Sequence, residues 1–284
     1  MPRRTTTLLI TAAIAIGVPP PTHADTPIWV GASTGSDGKA WSVAQEEIGS
    51  GKLSYRRSFD QTLPEPSSAN WHAAGSKHWY SAKPIGKDVQ AYIDGKHDEQ
   101  LGALARSLPA GTIFTVYHEP EDNMSGATFA KLMRKTVTVV KAANPGVRVW
   151  YSAMAYQWET NSKGNVGSSD GWIDAARAAD GVALDIYAGP GDATPIRADK
   201  GFKRWWDLIK VPSGKPWGIS ERGIAEEHGE QKRVSMLIDD WALAKERGAH
   251  HFLYWQHNND GRWKLSTEAE KAAFRVIAAQ GRQR

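Results

Sequence analysis

The strongest constraint on this chain is a recurrence of type: eight short apolar, β-rich runs, several separated by stretches with helical periodicity. The runs are Ile28-Trp29-Val30, Leu53-Ser54-Tyr55-Arg56, His78-Trp79-Tyr80 and Thr112-Ile113-Phe114-Thr115-Val116-Tyr117. The second half adds Val147-Arg148-Val149-Trp150-Tyr151, Val182-Ala183-Leu184-Asp185-Ile186-Tyr187, Trp217-Gly218-Ile219-Ser220 and Phe252-Leu253-Tyr254-Trp255. Strands joined through helices pair in parallel, because the helix returns the chain to the edge from which it left. Eight such units predict an α/β fold, a single-domain (β/α)8 TIM barrel over residues 25–284, with an open doubly wound sheet as the competing arrangement. No Gly-x-Gly-x-x-Gly follows the first strand, and the stretch from Gly31 to Lys39 does not match a phosphate loop, which removes the main motifs for nucleotide binding.

Three helices are well marked. Phe129, Leu132, Met133, Thr136, Val140 and Ala143 share one face, and Asn144-Pro145-Gly146 stops that helix. Val234, Leu237, Ile238, Trp241 and Ala244 form a second stripe. A third helix opens with Thr267 and Glu270 at capping-box spacing and buries Phe274 and Ile277. The segments between strands one, two and three carry weaker signals, and Gln61 to Lys77, with Pro64, Pro66 and Gly75, reads as a loop.

Residues 1–24 read as a secretory signal peptide. Arg3 and Arg4 precede an apolar stretch from Leu8 to Val18, prolines end it, and Ala24 precedes the expected cut. The stretch is too short to anchor the chain in a membrane, so a secreted protein free of the membrane is expected. The 284 residues include no cysteine, which excludes disulfide scaffolds, Cys-based zinc sites and thiol nucleophiles. The formal net charge of +4 falls to about +2 without Arg3 and Arg4, and no basic stripe is present, so nucleic acid is not an expected partner. A monomer is expected.

Two carboxylates stand where barrel chemistry is found, at the carboxyl ends of strands. The fourth run continues into His118-Glu119-Pro120-Glu121, and the seventh into Glu221-Arg222-Gly223. Glu119 and Glu221 are 102 residues apart, close to three βα units of about 32 residues each. Two facing carboxylates suit glycosidic bond cleavage: one is protonated and donates to the leaving oxygen, the other is ionised and attacks or assists water. Like charges at close range raise the pKa of one partner and so divide the roles. No His-Glu-x-x-His or Gly-x-Ser-x-Gly occurs, and neither a metal nor another cofactor is implied.

His118-Glu119-Pro120 after strand four, with Ser220-Glu221 at strand seven, resembles the clan of retaining glycoside hydrolases built on (β/α)8 barrels. His before the first Glu is similar to glycoside hydrolase family 26, the β-mannanases and their relatives; the following Pro120-Glu121-Asp122-Asn123-Met124 departs from the mannanase pattern. The resemblance implies that Glu119 is the acid/base and Glu221 the nucleophile. It also implies that His118 holds the acid or a sugar hydroxyl, that Tyr187 bonds the nucleophile, and that Trp255 forms an aromatic floor. The 13 tryptophans fit a carbohydrate substrate, since indole faces stack on sugar rings. Trp158 and His257 lie on loop-side positions and are further substrate-binding candidates. Asp185 shares a strand face with Tyr187 and is either a substrate ligand or a satisfied interior carboxylate. His250 and His251, at the other end of strand eight, read as structural. A non-catalytic carbohydrate-binding barrel is the alternative, and a hydrolase of another bond using one Glu as base is a more distant one.

Overall fold

The computed structural model describes residues 28–35, 38–49, 52–66, 77–83, 88–159, 166–257 and 261–282. The expected signal peptide, residues 1–24, and most of the expected 61–77 loop lie outside the described residues. In chain order the elements are β1 (Trp29–Ser33), α1 (Gly38–Ile48), β2 (Tyr55–Asp60), β3 (Lys77–Ala82), α2 (Asp88–Ile93), α3 (Asp98–Ser107), β4 (Ile113–Val116) and α4 (Gly126–Ala143). They continue with β5 (Arg148–Met154), α5 (Trp172–Ala178), β6 (Gly181–Ala188), α6 (Lys200–Trp205), α7 (Val211–Ser213), β7 (Trp217–Ile224), α8 (Glu230–Glu246), β8 (His251–Trp255) and α9 (Glu268–Gln280). A π-helical turn, Trp206–Lys210, joins α6 to α7. The strands close into one parallel barrel in sequence order, with β8 returning to β1 through the pairs Trp29↔His251 to Ser33↔Trp255. All eight strands coincide with the eight apolar runs, and the closed barrel replaces the open-sheet alternative.

The helices follow the sequence signals unevenly. In α4, Phe129, Leu132, Met133, Thr136 and Val140 are buried as the periodicity predicts, and Ser125 caps the helix by accepting from the Thr128 amide. Thr267 and Glu270 complete the capping box of α9. The stripe assigned to α8 holds at Leu237, Trp241 and Ala244 and requires correction at Ile238, which is 55% exposed, whereas Arg233 and Asp240 are buried. The helix is turned so that Asp240 receives the Arg222 side chain at 2.7 Å and the Ile196 amide at 2.7 Å, while Arg233 meets Glu270 at 2.8 Å. Paired charges take places that an apolar pattern assigns to Ile238. α1, α2 and α3 are the helices whose signals are weak, although Ala40, Trp41, Ala44 and Ile48 of α1 do repeat at helical spacing.

Strand alternation sends one residue set to the helices and the other into the barrel. The interior set, Trp29, Tyr55, Trp79, Ile113, Trp150, Ala183 and Leu253, is a cluster separate from the larger core beneath the helices. Trp79 and Trp150 meet edge to face at 5.4 Å, and both pack edge-on against His251. Much of the tryptophan excess is thereby accounted for: three indoles fill the barrel axis and six more, among them Trp41, Trp172 and Trp241, are buried beneath the helices. Burial keeps His251 neutral and lowers His250 to about 4, helped by nearby Arg148, which agrees with a structural role for this pair. The plug ends in polar groups, with Trp79 Nε1 donating to Thr115 Oγ1 at 2.8 Å and Thr115 Oγ1 donating to the Trp150 carbonyl at 3.0 Å.

Gly181 is the position that makes room for this plug, since a Cβ there would lie 2.2 Å from the Trp150 ring. Gly181→Ala is therefore expected to cost about 1–3 kcal/mol through overpacking, read as a lower denaturant midpoint with an unchanged slope.

Candidate active site

Above the indole layer the barrel interior turns polar, and the change begins with Arg57 of β2. Its guanidinium is fully buried and bridges Asp185 of β6 at 2.5 Å and Glu221 of β7 at 2.9 Å, both through Nη1. The Phe59 and Trp79 rings flank it, with centroids 5.6 and 5.5 Å from Cζ. Ser33 of β1 donates to Glu221 Oε1 at 2.8 Å, and the Tyr187 hydroxyl donates to Glu221 Oε2. Asp185 accepts further bonds from Ser220 at 2.7 Å and Ser152 at 3.1 Å. Five strands thus converge on two carboxylates.

A break in strand register allows β7 to supply two consecutive inward residues. The β6–β7 pairing shifts between Leu184 and Asp185, and the β7–β8 pairing shifts between Ile219 and Arg222. Such an irregularity cancels the alternation, so Ser220 and Glu221 both reach the interior. Glu221 consequently lies within β7, which runs on to Ile224, and not just beyond its end. Gly223 leaves space for Tyr187: a Cβ there would sit 2.3 Å from the tyrosine ring.

Glu119 reaches the same mouth by a strained path. Tyr117 and Glu119 both hold positive φ, 54° and 53°, a left-handed conformation that costs a residue with a Cβ about 1–3 kcal/mol. The Tyr117 amide is bound to the Ala82 carbonyl at 2.9 Å, and the Glu119 amide to the Ser152 carbonyl at 2.9 Å. One carboxylate oxygen from each of Glu119, Asp185 and Glu221 lies within 4.8 Å of the others. These three make the one grouping with metal-ligand spacing among the described residues, and Arg57 already supplies positive charge to two of them.

The electrostatics separate the two glutamates. Two unit charges about 5 Å apart repel by roughly 3 kcal/mol at an effective dielectric near 20, enough to keep one protonated. Burial, with the charges of Asp185 and Glu221, pushes Glu119 well above the usual carboxylate range. Burial also raises Glu221, to about 7, but Arg57 and the bonds from Tyr187 and Ser33 pull against it. Glu221 makes the direct contact with Arg57, so it ionises first and Glu119 retains the proton. Burial and the nearby Arg57 and Lys83 hold His118 well below its ordinary pKa, leaving it neutral.

A cleft of about 720 Å³ opens over these groups, lined by Glu119, Glu221, His118, Tyr187 and Trp255 of the expected residues. His118 packs on Phe59 at 5.4 Å, and its buried Nδ1 has no hydrogen-bond partner among the described residues. Trp255 stacks on Phe59, with ring centroids 5.8 Å apart and planes at 8°. Three expected residues do not line the cleft. Trp158 is fully buried and its Nε1 donates to Glu121 at 3.1 Å, so its indole is structural. Asp185 lies beneath the cleft, saturated by Arg57 and two serines, which selects the interior-carboxylate reading. His257 stacks behind Trp255 at 5.6 Å, next to Gly35.

The sequence reading missed Arg57, Ser33, Phe59, Tyr156 and Trp263. Tyr156 and Trp263 line the cleft, and Trp263 meets Tyr187 edge to face at 5.0 Å. Arg57 was detectable in principle, because Tyr55, Arg57 and Phe59 share one strand face, and a charge between two aromatics on an inward face needs a partner.

Solved structures similar to this chain are glycoside hydrolases with (β/α)8 barrels. They include the endo-1,4-β-D-mannanase of Thermotoga petrophila (TM-score 0.61, 10% identity, 89% of this chain and 99% of that chain). The GH53 catalytic domain of Ignisphaera aggregans gives a TM-score of 0.59 at 12% identity, covering 92% of this chain and 99% of that one. The GH128 endo-β-1,3-glucanase of Amycolatopsis mediterranei gives 0.55 at 14% identity, covering 87% and 98%. At such identities the likeness is one of fold. No family model matches the sequence, and no curated protein matches it.

Arg57→Ala would strand Glu221 and Asp185 without their shared cation, at an expected cost of about 3–5 kcal/mol near pH 8. Loss of the cation raises the folded-state pKa of Glu221 further. The penalty is therefore largest at alkaline pH and shrinks as pH falls and Glu221 takes up a proton, which denaturation across pH 5–9 will show.

Proposed function

We propose that this protein is a secreted glycoside hydrolase that cleaves a β-linked poly- or oligosaccharide with retention. The observation that carries the reading is the carboxylate spacing. One carboxylate oxygen of Glu119 and one of Glu221 lie within 4.8 Å of each other across one cleft, which fits the close spacing of about 5–5.5 Å used for covalent catalysis and not the roughly 6.5–9.5 Å that leaves room for a water. Secretion rests on residues 1–24 alone. The named activities of the structural neighbours, mannanase and glucanase among them, support a glycan as the substrate class. The finer likeness to family 26 rests on His118-Glu119.

In the first step Glu119 donates its proton to the glycosidic oxygen as Glu221 Oε1 or Oε2 attacks the anomeric carbon. The bond to the leaving sugar breaks, and a glycosyl ester forms on Glu221. Glu119, now ionised, takes a proton from water, whose oxygen attacks the anomeric carbon and frees Glu221. Arg57, Ser33 and Tyr187 hold the nucleophile ionised and oriented before the attack, and donate to its oxygens as it leaves. His118, neutral, is available to a sugar hydroxyl. Trp255 and Trp263 offer aromatic surface to sugar faces.

Reducing-sugar release from a panel of mannans, β-glucans and galactans tests the activity, and proton NMR of the first anomer released tests retention. Glu221→Ala is expected to bring turnover to background. Glu119→Ala should lose about 10²–10⁴-fold on natural glycans and far less on aryl glycosides with good leaving groups. Equal and mild effects of the two substitutions, or binding without any product, would overturn the reading in favour of a carbohydrate-binding barrel. The sign of the pH dependence follows from the two glutamates. Activity rises as Glu221 ionises and falls as Glu119 loses its proton, and burial raises both groups. The profile of kcat/KM should therefore be a bell centred above the ordinary carboxylate range of about 4.

A further inference from the structure

A second glutamate of the same loop is left unused by this chemistry. Glu121 lies in the 3-10 turn Pro120–Asp122, two residues beyond Glu119, and is completely buried. Among the described residues no cation pairs with it. Instead its carboxylate accepts three hydrogen bonds: from the Tyr151 hydroxyl at 2.6 Å, the Trp158 indole at 3.1 Å and the Met154 amide at 3.3 Å. All three donors belong to β5 or to the turn that follows it. Three donors and no acceptor select a carboxylate, because an amide would turn its NH2 toward one of them. Burying a carboxylate without a counter-charge is unfavourable, and an apolar side chain would fill the same space more stably.

What the arrangement secures is the backbone of Glu119. That residue holds φ 53° and ψ 56°, although Pro120 disfavours such a ψ in the residue before it. Upstream, the Glu119 amide is tied to the Ser152 carbonyl at 2.9 Å. Downstream, the anchoring side chain is Glu121. Both ties end on β5, so Glu119 is suspended between two fixed points of one strand, with its carboxyl facing Glu221.

We propose that Glu121 is a positioning residue that holds the Glu119 carboxyl in the cleft opposite Glu221. The kinetic consequence rests on the function proposed above; the positional claim stands on the geometry. The test is Glu121→Gln, with Tyr151→Phe as a milder second variant that leaves the carboxylate in place. Two quantities are read: kcat and KM on the cleaved glycan, per active site titrated with a covalent inhibitor, and the titration of Glu119 by isotope-edited infrared difference against Glu119→Gln. In Glu121→Gln, kcat should fall about 10- to 100-fold, the effect of a displacement of roughly 1 Å at a reacting group, with little change in KM. A released Glu119 gains water and leaves the charges of Asp185 and Glu221, so its titration should move down toward the ordinary carboxylate range. The alkaline limb of the pH profile should move down with it. Tyr151→Phe should shift both readouts the same way and less, and it decides the matter if Glu121→Gln fails to fold. A lowered Tm with unchanged kcat per active site and an unmoved Glu119 titration would make Glu121 merely structural and overturn the proposal. If the wild-type protein cleaves no glycan, the proposed function fails, and the infrared titration alone decides this inference.

Discussion

The site depends on one buried cation. Arg57 stands between the indole plug and the cleft, and its Nη1 bridges Asp185 and Glu221 at 2.5 and 2.9 Å. Without positive charge at that depth, three carboxylates within 4.8 Å of one another could not remain in a low-dielectric interior except by taking up protons. With it, a single proton relieves most of the remaining repulsion. The proton settles on Glu119, which lacks the direct contact with Arg57. Charge placement thereby assigns one glutamate as a donor and the other as an anion.

Two departures from regular backbone deliver these groups. In β7 a register shift turns adjacent residues inward, giving Ser220 to Asp185 and Glu221 to the cleft. After β4, left-handed conformations at Tyr117 and Glu119 bend the chain over the barrel mouth. Both are local costs that the surrounding structure must hold in place, and both occur at or beside the residues of the proposed chemistry, as expected where strain serves a site. The remainder of the barrel is regular. Its axis is filled by large aromatic side chains at the amino-terminal end, a rigid floor on which the polar layer is mounted.

Most of the fold was legible in the sequence, since each strand of the barrel is buried on the helix side and reads as an apolar run. Helices α4 and α9 were legible for the same reason, their buried faces being apolar. The α8 stripe is legible at Leu237, Trp241 and Ala244 but fails at Ile238, because Arg233 and Asp240 occupy the buried face as partners of Glu270 and Arg222. Polarity marks solvent in a periodicity argument, and a paired buried charge defeats that rule. The tryptophans misled in one case: Trp158 lies on the loop side of the barrel yet points inward to Glu121.

The chain by itself determined the strand count, the parallel order and the pair Glu119 and Glu221, one after strand four and one in strand seven, three units apart. These follow from local patterns, which depend on burial and periodicity within a few residues. Only the tertiary structure decided that Arg57 pairs with both Asp185 and Glu221, that Asp185 lies beneath the cleft, and that Trp263 lines it while Trp158 does not. Those outcomes join residues more than a hundred positions apart or turn on a half-step of strand register. A barrel brings such residues together only when it closes, so no local window of the sequence contains them.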